Sequence, residues 1–272
     1  MLNLLGKLLE QHKIELYSPI SLRDCRIIRP YKLEMCSFKQ NFDNLNAIML
    51  AVPYYTDCKD RNLSAYAIPR DYHLYFKNLF DDILPKLAEN YPNYKFFGFT
   101  DNSPINEVEA SARAGLGVIG ANRMLITEKY SSFVFLGEII TDMTIATKSC
   151  EITYCSNCGR CKLLCPMDKT KICLSELTQK KGELNDREKT IISDFGSVWG
   201  CDICQEVCPY TSSAIKSGTI YTPIDFFKDE LISYLTVEML DGMSDEEFAS
   251  RSYSWRGRET IRRNLLLTEN IK

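Results

Sequence analysis

An α+β protein is predicted, on two observations: helical and β-type patterns alternate before residue 145, and a dense group of cysteines follows it. Of twelve cysteines, Cys25, Cys36 and Cys58 are isolated, and the other nine lie between Cys150 and Cys208. That contrast divides the chain into a mixed sheet-and-helix domain at 1–145, a cysteine-rich domain at 146–215 and a short helical segment at 216–272.

The elements follow from the patterns. Residues 1–12 read as an amphipathic helix, and the apolar, partly β-branched run NAIMLAVPYY at 46–55 reads as a buried strand. From Asp71 to Asn90, apolar Tyr72, Phe76, Phe80, Ile83, Leu84 and Leu87 recur at helical spacing, with a kink expected at Pro85 and a stop at Tyr91-Pro92. The strand KFFGFTD at 95–101 follows. Glu107–Ala114 is helical until Gly115-Leu116-Gly117 breaks it, and MLIT at 124–127 with SFVFLGEII at 132–140 suggests a strand pair. Beyond Cys208-Pro209, helices are expected at 223–232, 244–250 and 256–267. The last carries Arg256, Arg258, Arg262 and Arg263, either as a solvated face or as an RNA or phosphate contact.

Among 272 residues, 45% hydrophobic and 11% aromatic side chains suffice for a packed core, and the net charge of −3 argues against a surface that coats nucleic acid generally. No apolar run approaches the roughly 20 residues that cross a bilayer. No signal peptide precedes the cysteines, and their spacing is that of metal ligands, so no membrane role and a reducing cytoplasm are expected.

The run Cys155-x2-Cys158-x2-Cys161-x3-Cys165-Pro166 has the spacing of a bacterial ferredoxin, in which the fourth cysteine ligates the other of two clusters. The partners are Cys201-x2-Cys204-x3-Cys208-Pro209 and Cys173. By crossover, one 4Fe-4S cluster takes Cys155, Cys158, Cys161 and Cys208, and a second takes Cys165, Cys173, Cys201 and Cys204. Cys150 competes for any of these places. The alternative, a pair of zinc sites, fits two Cys-Pro endings poorly. Cys25, Cys36 and Cys58 read as buried small hydrophobes. Two adjacent clusters form an electron wire, and the long domain ahead of them exceeds what a bare carrier needs.

Several segments together resemble the epoxyqueuosine reductases, cobalamin-dependent iron-sulfur enzymes of queuosine synthesis in tRNA. Ala65-Tyr66-Ala67-Ile68-Pro69-Arg70-Asp71-Tyr72-His73 is similar to that family's Arg-Tyr-Ala-x-Gly-Arg-Asp-Tyr-His stretch. Thr100-Asp101-Asn102-Ser103-Pro104, then Glu107, then Ala114 through Asn122 resemble its Val-Asp-Ser-x-Pro and Ala-Gly-Leu-Gly-Trp-x-Gly-Lys-Asn signatures. Ser132 through Ile139 and Cys173 through Thr178 extend the likeness, which covers roughly residues 45–267.

The resemblance implies a flavin-reductase-like fold holding cobalamin in the first domain, beside a ferredoxin-like domain with two 4Fe-4S clusters. It implies reductive deoxygenation of an epoxide in tRNA, with an external electron donor of flavodoxin or ferredoxin type. Asp101 matches the catalytic aspartate that protonates the epoxide oxygen, and that task needs a raised pKa, which burial beside the corrin would supply. Read from its neighbours alone, Asp101 is a turn or N-cap residue. Cobalamin contacts are expected from Arg70, Tyr72, Asp101, Asn122, Leu125, Leu136 and Ser175; core packing and a surface ion pair are the alternatives for Tyr72 and Arg70. With only His12 and His73 and no Asp-x-His-x-x-Gly signature, base-off cobalamin is expected, and His73 reads as a helix-start residue bonded to neighbouring backbone.

The sequence departs from the family at Pro69, Val118 and Ala121, and the Cys165–Cys173 stretch is short. It ends at Lys272, without the helical-repeat extension that the resemblance implies for holding tRNA. Reduction of another small electrophile and non-catalytic electron transfer are the competing readings.

Overall fold

Every residue of Asn46–Pro53 is buried, so this apolar run occupies the middle of a sheet instead of an edge. The computed structural model describes residues 1–38, 42–167 and 172–269. Its main sheet is antiparallel, in the order β1 (Leu16–Ser21), β2 (Asn46–Pro53), β6 (Val134–Thr141), β3 (Phe96–Phe99). A two-residue ribbon, β4 (Val118–Ile119) with β5 (Leu125–Ile126), stands apart. β1 escaped the pattern reading; it is an edge strand interrupted by Pro19, a residue that edge strands tolerate.

The strict two-residue alternation of a strand divides β2 between two cores. Ile48, Leu50 and Val52 face the helices Leu2–Gln11 and Tyr72–Asn90, packing with Leu5, Phe76 and Ile83. Ala47 and Met49 face the other way, packing with Leu33, Ile105, Ala110 and Ile140. Gly98 and Gly137 let the long helix approach, because a Cβ at either would run into the ring of Phe80 or Phe76. That helix starts where expected, with Asp71 accepting the His73 N–H at 2.9 Å, and it runs through Pro85 to Asn90. Helices Leu2–Gln11 and Glu107–Arg113 also fall where the sequence places them.

Three expectations need correction. Residues 124–127 and 132–140 do not pair as neighbouring strands: Thr127 and Ser131 close a tight turn, β5 pairs back onto β4, and β6 runs on between β2 and β3. Residues 223–232 form no helix beyond a single 3-10 turn at Asp225–Phe227, because Phe227 is drawn into the core against Tyr75 and Phe135 and Glu230 adopts a left-handed backbone, φ 48°. The basic helix, Arg258–Thr268, presents no free arginine stripe. Arg258 donates to the carbonyls of Leu240, Met243 and Ser244, Arg262 pairs with Asp241, and Arg263 donates to the carbonyls of Lys180 and Gly182. A helix Val237–Gly242, capped by Thr236, supplies the Leu240 carbonyl and was not anticipated.

The chain after residue 216 folds back over a second core. Leu235, Leu240, Phe248, Tyr253, Ile261 and Leu265 pack with Leu63, Ala67, Ile68, Val198 and Trp199. The segment 61–65 joins this core to the cysteine region. Asn62 exchanges both amide hydrogen bonds with Leu235, at 2.7 and 2.8 Å, and Leu63 bridges Trp199. Asp202, buried between Cys201 and Cys204, accepts from the Ser64 hydroxyl and the Ala65 N–H, both at 2.6 Å, and pairs with Arg61 at 3.1 Å. Among the described residues, no helix is long and apolar enough to cross a membrane.

Asp202→Ala strands the Ser64 hydroxyl and the Ala65 N–H in a buried position and leaves Arg61 to Glu206 alone, so urea unfolding is expected to show a loss of about 1–3 kcal/mol for each stranded group. Asp202→Asn, which keeps an acceptor for Ser64, is expected to lose less.

Candidate functional site

Gly159, in a left-handed conformation (φ 77°), turns the chain from Cys158 into the short helix Arg160–Leu163 that carries Cys161. Cys208 comes from the opposite side, immediately before the helix Pro209–Lys216. Cys155, Cys158, Cys161 and Cys208 line one small hollow, together with Asn122, Ile126 and Cys204. Cys173, Cys201 and Cys204 lie close enough to feel one another's charge, and Cys165 and Cys201 pack against the same apolar group of Met167, Leu174 and Leu177. Cys204 faces both sets.

Among the described residues, no three Cys, His, Asp or Glu side chains converge tightly enough for a single metal ion. A lone tetrahedral ion holds each sulfur at about 2.3 Å, which draws the thiols close together. Thiols spread around a hollow suit a larger inorganic core. Burial pushes the Cys201 thiol up to about 12 and Cys204 to about 11, so each stays neutral until a cationic centre displaces its proton. The Ala121 N–H donates to Cys155 Sγ at 3.3 Å, and the Asn122 side chain bonds the Cys204 thiol. Cys150 is held elsewhere, its N–H on the Arg113 carbonyl and its sulfur beside Gly115. Cys25, Cys36 and Cys58 pack against apolar cores but are only partly buried.

Asp101 lies just beyond β3 with φ 60°, a left-handed conformation that aspartate tolerates better than most residues. Tyr72 donates its hydroxyl to Asp101 Oδ2. The Tyr72 ring stacks on Phe135, centroids 4.2 Å apart at 15°, with the His73 ring also 4.2 Å away. Burial and the Asp101 charge hold the Tyr72 phenol far above its ordinary range, so it remains a donor. His73 places Nδ1 2.8 Å from Asp71 Oδ1 and Nε2 3.6 Å from Asp101 Oδ2. Its hydrogen bond to Asp71, a carboxylate and not the backbone partner expected, raises its pKa.

Asp101 is not a helix cap; Asn106 holds that place, accepting from Glu109 N at 3.2 Å. Nor does the protein bury it, since its side chain is 63% exposed. The burial lies one layer deeper. The Asp101 N–H donates to Glu107 Oε1 at 3.2 Å, and the Glu107 carboxyl adjoins that of Glu138, which is 0% exposed and accepts from Ser103. Burial, then the charge of Asp101, raises Glu107; burial, then the charge of Glu107, raises Glu138. The sequence reading assigned no role to either. The available signal was a glutamate in the apolar run of β6, between Leu136 and Ile140 on one face.

The remaining predicted contacts are dispersed. Leu136 accepts at its carbonyl from Thr100 Oγ1 at 2.7 Å, which fixes the strand beside Asp101. Arg70 instead pairs with Glu230 at 3.3 Å and lies over the Phe226 ring, the ion-pair alternative for this residue. Asn122 belongs to the four-thiol hollow, Leu125 is buried in the ribbon beside it, and Ser175 lines a separate hollow with Cys173 and Arg256.

No protein-family model matches the chain. An epoxyqueuosine reductase of Gloeobacter violaceus is 31% identical over 210 residues, covering 74% of this chain and 64% of its own length. One from Lactococcus garvieae is 30% identical over 230 residues, covering 79% of this chain and 63% of its own. This chain is a relative of the epoxyqueuosine reductases. It spans about three-fifths of the length of these two reductases. A solved epoxyqueuosine reductase of Streptococcus thermophilus superposes with a TM-score of 0.73 at 21% identity, over 97% of this chain and 80% of that one. Another, crystallised with an epoxyqueuosine-modified tRNA-Tyr stem loop, gives 0.74 at 23% identity, over 98% and 80%. These likenesses show that the chain has the mixed α+β fold of the reductases.

In the folded protein Glu107 and Glu138 keep a proton that unfolded glutamates release above about pH 4.3. The folded state therefore binds more protons, and the pair's contribution to stability falls as pH rises through the pair's raised titration range. Glu138→Gln, a neutral mimic that still accepts from Ser103, is expected to be more stable than the wild type by about 1–3 kcal/mol at pH 8, with the gap closing toward pH 4. Urea denaturation across that range measures it.

Proposed function

We propose that this chain is an oxidoreductase resembling epoxyqueuosine reductase, which carries out two-electron reductive deoxygenation of the epoxide of queuosine in tRNA, in the cytoplasm. The observation that carries the proposal is Asp101, exposed on a left-handed turn and clasped by Tyr72 and His73, in a chain that also gathers Cys155, Cys158, Cys161 and Cys208 around one hollow. A crystallised relative with its catalytic aspartate loop swung out of the active site supports a working role for this loop.

In this reading residues 1–145 form a flavin-reductase-like cobalamin domain, 146–215 a ferredoxin-like domain and 216–272 a helical tail. Cys155, Cys158, Cys161 and Cys208 hold one 4Fe-4S cluster; Cys165, Cys173, Cys201 and Cys204 hold the other. The donor set fits: eight thiols, one group lining a hollow, with a backbone N–H and an amide aimed at sulfur. The exposed Asp101 carboxylate, with Tyr72 and His73 beside it, is the group this surface would offer to a substrate held against cobalamin. Bound cobalamin would supply the two-electron reductant, and the clusters would bring electrons from a flavodoxin or ferredoxin.

The chain's own residues do the rest. Tyr72 and His73 fix the direction of the Asp101 carboxyl, and Asp101 delivers a proton to the epoxide oxygen. A second reading, the same chemistry on a small electrophile, is favoured by one fact: Arg258, Arg262 and Arg263 are bound internally, which removes the most obvious basic stripe for RNA.

Protein reconstituted anaerobically with iron, sulfide and cobalamin is expected to convert epoxyqueuosine-containing tRNA. Asp101→Ala should lose about a hundredfold or more in kcat with its iron content intact. No conversion by the wild type, with turnover of small epoxides or organohalides, would move the assignment to the second reading. In iron and sulfide analysis, Cys208→Ala is expected to lose one cluster and Cys150→Ala neither.

A further inference from the structure

We propose that Glu107 and Glu138 form a proton store behind Asp101, holding one proton between two carboxyls and passing it from Glu107 to Asp101 during turnover. This rests on the epoxide-reducing reading above. Removing an epoxide oxygen breaks two C–O bonds, forms a C=C bond and releases water. It consumes two electrons and two protons. The electrons come from the external donor through the clusters. Asp101 carries one proton at a time, so a second must reach the same oxygen through it or around it.

Geometry points to the pair. Glu138 sits at 0% exposure on the face of β6 that carries Ile140, against Ile105 and Ala110. One of its oxygens accepts from Ser103, while Oε2 has no donor. A proton on either carboxyl turns the contact with Glu107 into a hydrogen bond and satisfies that oxygen; two ionised carboxylates there would repel without water to screen them. Glu107 in turn accepts the N–H of Asp101 itself, so the store touches the residue it would recharge.

The charges facing the pair leave this arrangement intact. Arg29 is the cation that Glu107 feels, and its Nη1 donates to the Ser103 carbonyl at 2.8 Å and not to either glutamate. The charge of Asp101 opposes ionisation of Glu107, while the hydrogen bond from Glu138 favours Glu107 as acceptor and keeps the resting proton on Glu138, from which it reaches Glu107. His73 approaches from the long helix on the Asp101 side, and Cys25 near Glu138 is a neutral thiol. After Asp101 has given up its proton, its new negative charge draws the proton of Glu107 outward, and the exposed Asp101 returns one from solvent once product has left.

The test uses the reconstituted holoenzyme with epoxyqueuosine-containing tRNA, and infrared difference spectra of the cluster-loaded protein without substrate. At neutral pH the spectrum is expected to show a buried protonated-carboxyl band that persists unchanged in Asp101→Asn and shifts in frequency in Glu107→Gln, which changes the hydrogen-bond partner of Glu138. In turnover, Glu107→Gln is expected to lower kcat about tenfold to a hundredfold with KM unchanged, and to abolish the alkaline fall in rate that the wild type shows as the pair loses its proton. Glu138→Gln, which keeps the Ser103 bond, should shift that alkaline limb, and it decides the question if Glu107→Gln does not fold. Absence of the band at neutral pH, or a wild-type alkaline limb in the variants, overturns the proton store. The band without wild-type turnover overturns the tRNA reading and leaves the store itself supported.

Discussion

The Asp202 carboxylate is the contact on which the arrangement of this molecule depends. It sits between two cysteines, and both of its oxygens are used across a long sequence separation, by Ser64, Ala65 and Arg61. A buried carboxylate in the cysteine region thus binds to the segment that leads, through Arg70 and Asp71, into the long helix carrying Tyr72 and His73. The region read as electron wire and the segment that clasps Asp101 share one rigid joint. The same joint holds the C-terminal segment, because Asn62 bonds Leu235 beside it.

A second organising constraint is the layering of carboxyls by depth. Asp101 is at the surface, Glu107 one layer in and Glu138 fully enclosed. Depth changes what the same functional group can do. The outer carboxyl can meet a substrate and exchange with solvent, while the inner two can keep a proton only because water is excluded from them. An apolar side chain in place of Glu138 would pack without a desolvation cost, so its presence on an otherwise apolar face of β6 is hard to explain by packing alone.

Much of the fold was legible in local chemistry. The helix at 72–90 could be read from its periodicity and the strand at 46–53 from its unbroken apolar run, and the fold places Cys155, Cys158, Cys161 and Cys208, together with Cys204, around one hollow. What was not legible is the product of distant partners. Residues 223–232 look helical by composition, yet Phe227 is worth more against Tyr75 and Phe135 than in a helix. The arginines of the last helix look like a surface stripe, yet unsatisfied carbonyls 14 to 83 positions away claim Arg258 and Arg263. Glu107 stood in a recognisable motif, but its partner Glu138 lies on another strand, and only the folded sheet shows the two carboxyls touching.

Trp199 shows what this connectivity means for modularity. It is fully buried two residues before Cys201, wedged between Leu63 on one side and Tyr253 and Trp255 on the other. A fragment cut to residues 146–215 would carry all eight candidate ligands and yet leave that indole without its walls. The cysteine region is therefore no detachable cassette that could be grafted onto another scaffold. Its hydrophobic support is supplied by chain that precedes it and chain that follows it, Leu63 on one side and Tyr253 and Trp255 on the other.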